Sequence, residues 1–102
     1  MFLFEILLPV SDRDGRQIPA VQFTRLHQEL TRRFGGATFF SRAPAEGTWQ
    51  PDNYSVERDS IVVMEVMAAD LEPGWWRSLK ADLEREFSQS SILIRYSEVS
   101  VL

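Results

Sequence analysis

Glu5, Glu65, Arg95 and the single histidine, His27, are the side chains whose types and neighbours suit them to acid–base or electrostatic chemistry. Glu5 interrupts the apolar run from Phe2 to Leu8, and Glu65 interrupts the run from Ile61 to Met67. Two carboxylates side by side in half-apolar surroundings suit one of them to hold a proton and act as an acid or base. An arginine beside them would keep the other ionised or bind an anionic substrate. The plainer reading is structural: Arg95 pairs with Glu5 across neighbouring strands, and Glu65 bonds a partner subunit. His27 lies near an apolar helical stripe, four residues from Phe23. A boundary histidine with a local hydrogen bond is the plainer reading there, and a catalytic base the sharper one.

A second group, Arg42, Glu46, Trp49 and Tyr54, falls in and around an irregular stretch that begins with Gly35-Gly36 and turns at Pro44 to Gly47. These are candidate ligand- or partner-binding residues. The alternative is that Trp49 and Tyr54 cover one end of the core.

The elements that must position these groups follow from hydrophobic periodicity. Residues 2 to 10 alternate as a strand with Phe2, Phe4, Ile6 and Leu8 on one face and Leu3, Glu5 and Leu7 on the other. Ser11 to Gly15 forms a polar loop with an Asp-Gly turn signal, and Pro19 suits the first turn of a helix. From Ala20 to Phe34 the residues Phe23, Leu26, Leu30 and Phe34 share one helical face, and Gly35-Gly36 ends the helix. A short edge strand is expected over 37 to 43, and a central strand within 55 to 69 whose core is 61 to 67. Pro73 opens a second helix carrying Trp76, Leu79, Leu83 and Phe87, and residues 92 to 101 form a last strand. Strand, helix, strand, strand, helix, strand predicts an α+β fold. Its expected form is a ferredoxin-like βαββαβ sandwich, a four-stranded antiparallel sheet with both helices on one face.

Composition bounds the partners. At 102 residues the chain is one domain, 1–102. A formal charge of -4 and a pI near 4.9 argue against nucleic acid and anionic membranes. There is no cysteine, hence no disulfide or cysteine-held metal. The apolar amino terminus has no basic flank and is too short to span a bilayer, so a cytoplasmic location is expected. No phosphate loop, nucleophile elbow or His-Glu-x-x-His is present, and no metal or cofactor is expected.

With the helices on the Phe4 face, the opposite face would display Leu3, Leu7, Ile61, Val63, Met67 and Leu93 around the charged trio. At about 1.5–3 kcal/mol each, covering six such side chains offers about 9–18 kcal/mol, enough to exceed an association cost of about 4–15 kcal/mol. A homodimer, sheet against sheet, is therefore expected; a bound apolar small molecule fits the same arithmetic.

The segments Phe34-Gly35-Gly36-Ala37-Thr38, Gly47-Thr48-Trp49, Asp59-Ser60-Ile61-Val62-Val63 and Phe87-Ser88-Gln89-Ser90-Ser91-Ile92-Leu93 together resemble a family of short bacterial proteins classed as a domain of unknown function. The resemblance runs from the Gly15 loop to Val101, and it implies a fold and a pattern rather than a reaction. Members often have Gly-Gln-Trp where this chain has Gly47-Thr48-Trp49.

The favoured functional expectation is a non-enzymatic binding or assembly module that self-associates through its helix-free sheet face and touches a protein partner with its loop. The competing expectation is a small dimeric α/β-barrel-type enzyme acting on a small aromatic or cyclic substrate, with Glu5, Glu65 or His27 lining its pocket.

Overall fold

The computed structural model describes the backbone of residues 1–42 and 61–102, and the side chains of 1–38 and 61–102. Its elements are β1 (Phe2–Pro9), α1 (Ala20–Phe34), β2 (Thr38–Arg42), β3 (Ile61–Ala68), α2 (Pro73–Glu86) and β4 (Leu93–Glu98).

β1 is the hub of the sheet. It pairs antiparallel with β3 along its whole length, from Phe2 opposite Ala68 to Pro9 opposite Ile61, and with β4 from Phe2 opposite Glu98 to Leu7 opposite Leu93. One alternating set, Phe4, Ile6 and Leu8 of β1 with Val62, Met64 and Val66 of β3, is fully buried. Against it pack Phe23, Leu26 and Leu30 of α1 and Trp76, Leu79 and Leu83 of α2, so both helices cover the same face. The helices carry these residues at three- and four-residue spacings, the condition for a single buried stripe.

The expectation of a four-stranded ferredoxin-like sandwich is corrected here. The strands with described side chains along their whole length are three and antiparallel, β1 between β3 and β4, with two helices: an α+β fold near the ferredoxin-like one. Backbone pairing extends the order to β2-β3-β1-β4, but β2 is a five-residue attachment, Thr38 opposite Glu65 to Arg42 opposite Ile61.

Boundaries also shift. β4 covers Leu93–Glu98 and stops short of residue 101, with one further backbone bond, from the Val99 N–H to the carbonyl of Met1, just past its end. Ile92, just before the strand, is buried, and its N–H donates to Glu84 Oε2 of α2 at 2.9 Å. Pro19 stands at the N-cap of α1 rather than in its first turn. Gly35 ends α1 at φ 83°, donating to the carbonyl of Thr31. A residue without Cβ takes that left-handed conformation at little cost, which lets the chain turn sharply into β2.

Candidate functional site

On the helix-free face, register sets the charged residues in one row. Thr38 of β2 lies opposite Glu65 of β3, Glu65 opposite Glu5 of β1, and Glu5 opposite Arg95 of β4. Like charges directly opposite one another on neighbouring strands repel, so this row needs a cation. Arg95 supplies it: its Nε donates to Glu5 Oε1 at 2.8 Å. Glu5 is thereby engaged, and Glu65 has no hydrogen-bond or ion-pair partner among the described residues.

Glu65 is also the charged wall of a cavity of about 470 Å³. The cavity lies where the glycine turn after α1 passes the ends of β1 and β3. Leu3, Phe34 and Met67 provide apolar surface, Thr38 a hydroxyl, and Gly35 and Gly36 bare backbone. Among the described residues no group of three or more histidines, cysteines or carboxylates could hold a metal ion, and Glu5 and Glu65 alone do not make such a set.

His27 stands apart from this row. Its Nε2 is 2.8 Å from the carbonyl oxygen of Ala37, so the ring donates there and ties the middle of α1 to the residue before β2. It positions the Gly35–Thr38 wall of the cavity rather than facing into it. Arg42 belongs to β2 by its backbone, with its side chain outside the description, and Glu46, Trp49 and Tyr54 lie outside the described residues.

The apolar load on this face is smaller than the sequence suggests. Val63 is only 1% exposed, although it points away from the helices, and Leu3, Leu7 and Ile61 are half-buried. Of the six, Met67 at 46% and Leu93 at 52% are open to water. Two side chains offer about 3–6 kcal/mol, which reaches only the lower part of the association cost of about 4–15 kcal/mol.

Sequence reasoning had no route to the cavity. The adjacency of Glu65 to Thr38 and to the glycine turn depends on the β2–β3 register, although the two glycines marked where the backbone must turn.

The class this fold defines is a small α+β sheet-and-two-helix protein with an acidic row beside a cavity. No family model matches the chain, and no curated protein matches it either. Among solved structures the chain is similar to a phage SAM lyase in complex with S-methyl-5'-thioadenosine, with a TM-score of 0.61 and 16% sequence identity, over 95% of this chain and 80% of that one. At that identity the likeness is one of fold. Among the described residues no helix is long and apolar enough to cross a membrane.

Proposed function

We propose that this protein is a small enzyme that binds a nucleoside thioether or its sulfonium relative in the cavity between the glycine turn and the Glu65 row. The observation that carries this reading is the fold-wide similarity to the phage SAM lyase, which is 16% identical, joined to a cavity of about 470 Å³ at an acidic row. At ~30 Å³ per water that volume equals about sixteen waters, commensurate with a nucleoside. Leu3, Phe34 and Met67 offer surface to a base or an S-methyl group. Glu65, the carboxylate without a partner, suits a ribose diol or a sulfonium charge, and the overall charge of -4 favours a cationic substrate over an anionic one. Arg95 keeps Glu5 occupied, so the row presents one working carboxylate. A cytoplasmic location fits a metabolite of this kind.

The test is calorimetric titration with S-methyl-5'-thioadenosine and incubation with SAM followed by chromatography. Binding at the cavity, weakened about tenfold in Glu65→Gln, is expected, since a hydrogen bond to a charged group contributes about 1.5–3 kcal/mol. Absence of both binding and product from SAM removes the enzymatic reading.

A second reading keeps the chain non-enzymatic, a module that self-associates through the helix-free face, and the exposed Met67 and Leu93 favour it. It is distinguished by a mass in solution that falls to the monomer in Leu93→Glu while no nucleoside binds.

A further inference from the structure

A second cavity lies on the opposite side of the core from the acidic row, between the start of α2 and the outer strand β4. It measures about 220 Å³ and is lined by Phe4, Leu71, Pro73, Trp76, Arg77, Lys80, Ile94 and Tyr96. Its floor is aromatic. Trp76 stacks on Phe4 with ring centroids 4.1 Å apart and an interplanar angle of 12°, and the Tyr96 ring tilts against Phe4 at 5.6 Å. Tyr96 is nevertheless 55% exposed, so one of its faces is open beside the cavity.

The charged side chains that line this floor are both cations, Arg77 and Lys80. Trp76 is 5% exposed, and its indole N–H is buried without an acceptor. That N–H sits beneath the ring surface rather than on it, which makes its resonance a reporter of what happens at the floor. Arg77 makes no ion pair among the described residues. Lys80 pairs with Glu84, whose Oε2 also accepts from the Ile92 N–H, so that carboxylate is shared between two donors. The first turn of α2 has no acidic residue, and its N-cap, Glu72, makes no side-chain cap. Two cations thus line the cavity, and among the described residues no carboxylate does.

We infer that this α2–β4 cavity is a binding site for a small monocyclic aromatic carboxylate. The ring lies against Tyr96, Ile94 and the Phe4–Trp76 stack, and the carboxylate meets Arg77, with Lys80 behind it. The volume equals about seven waters at ~30 Å³ each, which is commensurate with a single ring and a short acid arm. The site is separate from the Glu65 cavity and has the opposite charge, so the two select different ligands. It stands whether or not the enzymatic reading above holds.

The probe is 3-phenylpropionate, titrated into the full chain and followed by two-dimensional NMR at the Trp76 indole N–H, with 3-phenylpropanol as the uncharged counterpart. Expected is a saturable shift of that resonance by the acid, at least fivefold weaker binding of the alcohol, and roughly tenfold weaker binding of the acid to Arg77→Gln. Arg77 is on the exposed face of α2, so this variant folds. Arg25→Gln, a cation on α1, serves as the charge control and keeps full affinity. The proposal is overturned by no saturable shift, by equal affinity for acid and alcohol, by equal losses in the two arginine variants, or by shifts confined to Gly35–Thr38.

Discussion

At the scale of single residues, the acidic row is a balance between repulsion and one arginine. Arg95 is half exposed and Glu5 less so, which places their pair among those worth about 0.2–1 kcal/mol in direct attraction. From the far side of Glu5 it also offsets the repulsion between Glu5 and Glu65. Arg95→Gln is therefore expected to lower the urea midpoint, and Glu65→Gln in the same background to restore most of the loss. A double-mutant cycle in urea measures this directly; additive losses would mean the two carboxylates do not interact. Glu84 offers a pH-dependent case. The Lys80 hydrogen bond, the Ile92 N–H and the lysine's charge hold its carboxyl below the usual carboxylate range, against the opposing effect of burial. A carboxyl lowered by folding adds stability that is present above its unfolded-chain value and is lost as pH falls through its folded value. Urea unfolding between about pH 6 and pH 3 should accordingly show a shallower decline in Glu84→Gln than in the parent chain.

At the scale of elements, the two glycines after α1 separate cleanly. Gly35 sits at φ 83°, and Gly36 has no positive φ; a Cβ at either would meet nothing within 4 Å. Space is therefore not the issue, and conformation decides. Gly35→Ala should cost about 1–2 kcal/mol because an L side chain is strained there. Gly36→Ala should be neutral or stabilising by up to about 1 kcal/mol through a less free unfolded chain. Thermal melts of the two variants check this, and equal losses would contradict the assigned cap. The junction between the helices has its own clamp. Arg33 lies 4.2 Å over the Trp75 ring and bonds Glu72 at 3.1 Å, joining the end of α1 to the start of α2. Phe34 extends the Phe4–Trp76 stack at 5.5 Å, so the same aromatic column borders both cavities, Phe34 at one and Phe4 with Trp76 at the other.

For the whole molecule, the question is what lies against the helix-free face. Six wet apolar side chains would have driven a stable dimer; the two that remain open supply much less. Kd values near 1 mM correspond to about 4 kcal/mol, so self-association through this patch is expected only at high protein concentration. Light scattering across a concentration series should show a monomer in the micromolar range, and Leu93→Glu should remove any dimer seen above it. A tight dimer at micromolar concentration would show that contacts beyond Met67 and Leu93 carry the interface.

Local information settled the helices. The repeats Phe23-Leu26-Leu30 and Trp76-Leu79-Leu83 sit within single segments, and a 3.6-residue period needs no distant partner to be recognised. Alternation in β1 and β3 likewise set Glu5 and Glu65 apart from the core face before any pairing was known. Pairing itself is a long-range choice. It made β1 the hub and set Thr38 against Glu65. Both cavities are products of that choice, because each is bounded by elements far apart in the chain, whose contact depends on register and packing rather than on the pattern of any one stretch.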